Sequence, residues 1–485
     1  MNQPLPTWTI TLKDGVGVVA NADVRRMTSY VLLEQEDWFE AEMDFIRALA
    51  TSDMQALDIG ANHGVYALTI ANRLTSGHVW AFEPTSAPGG MLAKSIADSR
   101  LSDRLTLVAA GLSDRDGEAD ISISGNSETN SLHTRGPAAE RIRLYALDEF
   151  WRRAGLVPDI DFVKLDAEGE EIAILKGGDD FFRSRSPLLM FELRHGSAVN
   201  HGLIEAVTGL GYDLYRLVPG LNALASYDPR HADGFLLNLF ACKPDRAQRL
   251  AARGLLVDPE ANTDAPRPDL PELLLRQHWA QPFLPTWIDR LSTLTPAYTQ
   301  ALGAALAASE TAIPAATRYT LLMTAFQAIS DITESGKGDL HHWTLRVRLA
   351  DIFGARATAL QIAGRLMELN DAAYRTIEYP VPPPSSRFDT RPFGDDFSGL
   401  KRMMLEYHEL NLSFSSYFTA PSPRLVEILK TSGHDPEFDR RFGLIARRAG
   451  REASYAETHP LFASSSSPNA AIWRQICAAI HRAAS

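Results

Sequence analysis

Between residues 56 and 243 the chain alternates short apolar runs with amphipathic stretches, and this pattern constrains its fold more than any other feature. The runs Ala56–Ile59, His78–Phe82, Leu105–Ala109, Phe162–Leu165, Leu188–Phe191, Tyr212–Leu217 and Asn238–Lys243 have strand length. Several are almost wholly apolar, as strands covered on both faces by helices must be. The intervening stretches Val65–Leu74, Ser86–Ser99, Glu168–Gly177 and Gly202–Leu210 read as helices, preceded by one over 38–50. The fold expected is α/β, a Rossmann-like, mainly parallel sheet. Ala119–Ser124 alternates and pairs with Arg141–Leu144 as an inserted hairpin.

At 485 residues the chain exceeds one ordinary domain. We expect a domain over 1–250, a linker over 251–271 and a helical domain over 272–378. A proline-rich linker over 379–398 and a helical segment over 399–485 follow, so the C-terminal region is expected to be all-α. Leu349–Leu360 resembles the turn of a tetratricopeptide repeat, but the pattern does not return at a fixed interval.

A hydrophobic content of 45% suits a soluble protein, and no apolar stretch is long enough to span a bilayer. Two distant cysteines and no signal-peptide pattern suggest a cytoplasmic location. The net charge of −12, from 60 acidic against 48 basic residues, argues against nucleic acid as partner.

The first strand runs through Leu57-Asp-Ile-Gly-Ala-Asn-His-Gly64 into a helix, and the second ends at Glu83-Pro84. Glycines at such a turn let backbone approach a ligand, and ligands of open α/β sheets sit beyond these strand ends. Glu83 is placed to accept hydrogen bonds from ribose hydroxyls. A dinucleotide site requires G-x-G-x-x-G, whereas Gly60 and Gly64 stand as G-x-x-x-G. Asp58 would repel a pyrophosphate but would suit the ammonium of a sulfonium cofactor, S-adenosylmethionine. His63 is expected to face solvent.

With those motifs in view, residues 30 to 245 resemble the FkbM family of S-adenosylmethionine-dependent methyltransferases. The resemblance rests on Trp38-Phe-Glu40, Leu57–Gly64, Ala81-Phe-Glu-Pro84, Ala110–Gly117, Phe162–Ile172 with its Asp166-x-Glu168-Gly169-x-Glu171 element, and Leu189-Met-Phe-Glu192. It implies a seven-stranded sheet in the order 3-2-1-4-5-7-6 and O-methylation of a sugar, glycan or secondary metabolite. By matching position it places Asp58, Gly60 and Asn62 at the methionine part, Glu83 at the ribose, and Leu112 and Ser113 by the adenine, with Gly64 also among the cofactor-binding residues.

An alcohol acceptor must lose its proton to a base, or to a cation that lowers its pKa. Asp166 and Glu192 end neighbouring strands. Asp166 can serve as base with Glu192 orienting the substrate, or both with Glu168 can gather a divalent cation. His195 is a further base candidate, and His133 lies in the insertion. Glu171 also reads as a helix-start acid complementing the dipole. His341-His342 should point its two rings apart. Three further readings compete: methylation of protein, methylation of nucleic acid, or a scaffold that recruits a protein partner through its helical half.

Overall fold

A computed structural model describes residues 6–123, 138–155, 159–195, 198–257, 269–394, 397–431 and 435–480. His133, most of the first linker and residues 395–396 of the second lie outside these.

The central sheet has nine strands among the described residues: β1 (Gln55–Ile59), β2 (His78–Phe82), β3 (Leu105–Val108), β4 (Phe162–Leu165), β5 (Leu188–Glu192), β6 (Asp213–Val218), β7 (Ala223–Ser226), β8 (Asn238–Cys242) and β9 (Leu256–Val257). Across the sheet they lie in the order β9-β7-β6-β8-β5-β4-β1-β2-β3. Strands β3 to β5 are mutually parallel through β2, β1 and β4, while β8 runs antiparallel to both β5 and β6. The seven-stranded expectation is thus corrected to nine. β7 turns back antiparallel on β6, and β9 adds parallel to β7. β9 and the helix Pro244–Ala252 fall where the linker was expected to begin, because Leu255, Leu256 and Val257 bury their side chains.

Side chains alternate between two cores. Ala56, Val79, Phe162 and Met190 face one side, with Phe45 and Ile46 of helix Glu42–Leu49 and Leu68 of helix Val65–Ala71. Leu57, Trp80, Val163 and Leu189 face the other, with Ile174, Phe182 and Val207. Burial on both faces is why these strands carry few polar residues. One exception is Lys164 in β4. The expected hairpin forms: Gly117–Ile123 pairs antiparallel with Ala138–Ala146, which also pairs with Gly111–Ser113.

Two helices start later than their sequence suggests. Glu42–Leu49 replaces the stretch from 38, and Glu171–Gly177 replaces that from 168. Glu168 and Gly169 adopt positive φ, at 51° and 106°, which an α-helix cannot include.

The C-terminal half is mostly helical. Its helix pair Leu340–Phe353 and Arg356–Met367 turns at Gly354, and a two-stranded parallel sheet, Ser454–Ala456 with Ala478–Ile480, departs from the all-α expectation. The proline-rich stretch is packed rather than extended, with Val381, Phe388 and Phe393 fully buried. The last helices return to the beginning of the chain: Leu444, Trp473 and Ile476 share a core with Ile10 and Val18 of the hairpin Thr7–Thr11/Gly17–Asn21. Asn469 hydrogen-bonds both backbone groups of Thr11, at 2.8 and 2.9 Å. No helix among the described residues is long and apolar enough to cross a membrane.

Candidate active site

A cavity of about 420 Å³ opens beyond the C-terminal ends of β1, β2, β4 and β5. Its floor is the turn after β1. Gly60, Asn62 and Gly64 hold φ of 80°, 50° and 77°. A Cβ at Gly60 would lie 1.7 Å from the Asp166 carbonyl oxygen, and one at Gly64 would lie 2.2 Å from Leu92. Gly60 therefore requires glycine on conformation and on space, and Gly64 on conformation. Gly60 and Asn62 line the cavity, whereas Gly64 shapes the turn from behind it.

Two buried carboxylates flank this turn. Asp58, 2% exposed, accepts the Ala67 amide at 3.0 Å on one oxygen, while its other oxygen is buried without a partner among the described residues. Burial raises its pKa, opposed by the nearby Lys164 ammonium. Glu83 accepts the Asn62 amide at 2.9 Å on one oxygen, and on the other the Thr85 amide at 2.8 Å and the Thr85 hydroxyl. Its pKa is also raised by burial, against those hydrogen bonds. Leu112 lines the cavity. Ser113 does not; its hydroxyl donates to Glu170 at 2.9 Å.

His63 is buried rather than solvent-facing. Its Nδ1 lies 2.7 Å from the Asn62 side-chain oxygen, and burial pushes its pKa down to about 4, so the ring is neutral.

Beyond Asp58 and Glu83 the cavity is acidic as well. Glu40, Asp166, Glu168 and Glu192 line it, with a single ammonium, Lys164, 2.7 Å from Asp166. Burial would lower the Lys164 pKa, but the charges of Asp166, Asp58 and Glu40 hold it above its ordinary value. Glu192 is pushed up to about 8, first by burial and then by Asp166, Glu168, Glu171 and Glu40. Tyr66 donates its hydroxyl to Glu40, whose pKa burial also raises. Glu171 does not reach the cavity. It accepts the Ala167 and Gly169 amides at 2.9 and 3.0 Å and pins the strained loop that carries Glu168. His195 lies on the short strand Arg194–His195, and its side chain is outside the described residues.

Glu40, Tyr66 and Lys164 are the residues that sequence reasoning missed. A lysine inside the otherwise apolar run Phe162–Leu165 was the available signal, since a buried ammonium needs carboxylate partners.

Among the described residues, three donor atoms fall within 4.8 Å of one another only at Asp339, His341 and His342, in the helical half. The two rings do not diverge as expected: their centroids are 4.0 Å apart, and both meet Tyr298 edge-on. His342 Nδ1 accepts the Asp339 amide at 3.3 Å in a capping box, which accounts for one ring.

A doubly covered sheet, a glycine turn into a helix and paired carboxylates at adjacent strand ends make the first half of this chain an α/β domain with a cavity at its strand ends. Residues 58–214 match the model of the Methyltransferase FkbM domain, and this segment is a domain of that family. No curated protein matches the chain. Solved structures that resemble it include a methyltransferase FkbM from Methylobacillus flagellatus KT, 18% identical, with a TM-score of 0.29 over 39% of this chain and 44% of that one. The resemblance thus spans less than half of that protein. An O-methyltransferase from Bacillus cereus in complex with SAH is 12% identical, with a TM-score of 0.24 over 42% of this chain and 80% of that one. An rRNA methylase from Streptococcus thermophilus is 14% identical, with a TM-score of 0.25 over 42% and 93%.

Proposed function

We propose that the chain transfers a methyl group from S-adenosylmethionine to a hydroxyl oxygen of a sugar or another small hydroxylated metabolite. The observation that carries the cofactor assignment is the unpartnered, buried oxygen of Asp58 at the cavity floor. A buried carboxylate oxygen without a donor is costly, and an ammonium would satisfy it. Asn62 and the backbone at Gly60 border the methionine part in this reading. Glu83, already oriented by Thr85, takes the ribose hydroxyls, and Leu112 packs by the adenine.

Bound there, the cofactor supplies an electrophilic methyl on a good leaving group. The protein aligns the acceptor and removes its proton. Glu192 suits the second task, because its pKa of about 8 lies near working pH. Asp166 is held by Lys164 and orients the acceptor hydroxyl. Lys164 also supplies the positive charge that a divalent cation among Asp166, Glu168 and Glu192 would otherwise bring.

The test pairs two variants of the full chain, read by titration calorimetry with S-adenosylmethionine and by S-adenosylhomocysteine release with hydroxylated acceptors. Asp58→Asn should weaken cofactor binding by roughly 10–100-fold, the effect of losing one charge-assisted hydrogen bond. Asp166→Asn should abolish turnover and leave cofactor affinity nearly unchanged. Well-folded wild type that binds no S-adenosylmethionine would refute the reading, and equal loss of binding in both variants would move Asp166 into the cofactor site.

A further inference from the structure

The methyltransferase cavity has one wall residue from far outside the matched family segment. Phe418, in the C-terminal half, lines the same cavity as Asp58, Asp166 and Glu192. It stands beside Trp38 and Phe39, which precede the first strand of the sheet. Phe39 is packed from three sides: its ring centroid is 4.9 Å from Trp38, 5.5 Å from Phe414 and 6.3 Å from Phe418.

Phe418 is 50% exposed, among the largest apolar side chains the chain leaves to solvent. The turn that presents it is nevertheless fixed by buried polar contacts. Glu34, fully buried on helix Met27–Gln35, accepts the Ser415 hydroxyl at 2.5 Å and the Ser416 amide at 3.0 Å. Tyr30 and Ser416 share a hydrogen bond of 2.8 Å. The Tyr417 hydroxyl donates to the Arg25 carbonyl at 3.0 Å, and Arg448 donates to the Tyr417 carbonyl at 2.6 Å with its guanidinium 4.1 Å from that ring. Arg441 completes the anchor, 3.4 Å from Glu34. A buried carboxylate with this many partners fixes geometry more than it adds stability. Here the geometry it fixes is a half-exposed phenyl ring at the mouth of a cavity.

We infer that Phe418, with Trp38 and Phe39, forms an apolar wall for the ring of the methyl acceptor, so that the C-terminal half helps to select the substrate. The inference rests on the methyl-transfer reading above. Its chemistry complements that of the acidic side chains lining the same cavity. Glu40, Asp166, Glu168 and Glu192 offer acceptors for several hydroxyl donors, while the aromatic side offers a face for C–H groups. A ring that carries hydroxyls on its rim and C–H bonds on its face, a pyranose, suits both kinds of lining.

The experiment uses the full chain as wild type, Phe418→Ala and Phe418→Trp. Titration with S-adenosylhomocysteine reads the cofactor end. Saturation-transfer NMR with methyl and 4-nitrophenyl β-D-glucopyranosides, in the presence of S-adenosylhomocysteine, reads the acceptor end. Wild type should bind both glycosides with transfer to ring C–H protons, F418A should weaken them about 10-fold, and F418W should restore them. S-adenosylhomocysteine affinity should stay within about twofold in all three, a result that a merely structural role would not give. If F418A does not fold, as judged by circular dichroism, Phe418→Leu is read in its place. Unchanged glycoside affinity in F418A, or none in wild type that binds S-adenosylhomocysteine, overturns the inference. Failure of wild type to bind S-adenosylhomocysteine overturns instead the reading on which it rests.

Discussion

Replacing Glu192 by glutamine separates its charge from its shape. In the ligand-free protein its carboxyl is pushed from an ordinary value of 4.5 to about 8, by burial first and then by Asp166, Glu168, Glu171 and Glu40. At ~1.4 kcal/mol per pH unit that rise corresponds to roughly 5 kcal/mol. The side chain is partly exposed, so solvent screening reduces the working figure to about 2–3 kcal/mol. The sign follows from linkage. A carboxyl whose folded pKa lies above its unfolded value stabilises fully below pH 4.5, and that contribution is lost as pH rises through 8. Glutamine keeps the neutral shape and cannot ionise. Wild type and E192Q should therefore unfold at similar temperatures near pH 5. At pH 9 the variant should be the more stable, by about 5 °C for a domain of this size. Thermal unfolding followed by circular dichroism at pH 5, 7 and 9, without cofactor, measures this. Over the same range wild-type turnover should climb through about pH 8, and E192Q should lose at least ~100-fold. A stability difference independent of pH, or a less stable variant at pH 9, would refute both the electrostatics and the role of Glu192 as base.

Two more outcomes follow from packing. Gly60→Ala should cost at least ~3 kcal/mol or yield insoluble protein, because the added methyl meets the Asp166 carbonyl and the backbone is left-handed; a soluble variant with unchanged melting temperature would contradict the close approach. A fragment ending at residue 250 should aggregate or melt well below the full chain, since it strips Glu34 of Ser415, Ser416 and Arg441 and bares the core that Trp473 covers. Size-exclusion chromatography and thermal unfolding of the fragment check this.

The sheet was legible because burial on both faces writes strands as apolar runs, and seven of the nine appeared that way. β9 did not, being two residues long and so below what a periodicity test can resolve, and nor did β7, whose Ala223-Leu-Ala-Ser226 lacks the β-branched and aromatic residues that mark the other strands. Asp58, Glu83, Asp166 and Glu192 were legible because each ends such a run. Glu40 and Tyr66 were not. They come from segments flanking the sheet, and only the fold brings them to Lys164. The shift of the helix start from 168 to 171 had a local cause, the left-handed Glu168-Gly169 pair, that a pattern of acids and apolar residues does not encode. Phe418 was the least legible. Nothing within its own segment points to the cavity, and its placement depends on Glu34, several hundred positions earlier in the chain.

The contact between Gly60 and the Asp166 carbonyl has a mechanical consequence. The loop after β1 and the loop after β4 meet backbone to backbone, with no side chain between them to flex or to change rotamer. An in-line displacement depends steeply on the separation of its two reactants. In the proposed reaction one loop would hold the donor and the other the acceptor, so their spacing would be set by peptide bonds in direct contact. The joint behaves as a gauge block rather than a spring, and natural variation in acceptor size would have to be absorbed at the aromatic rim.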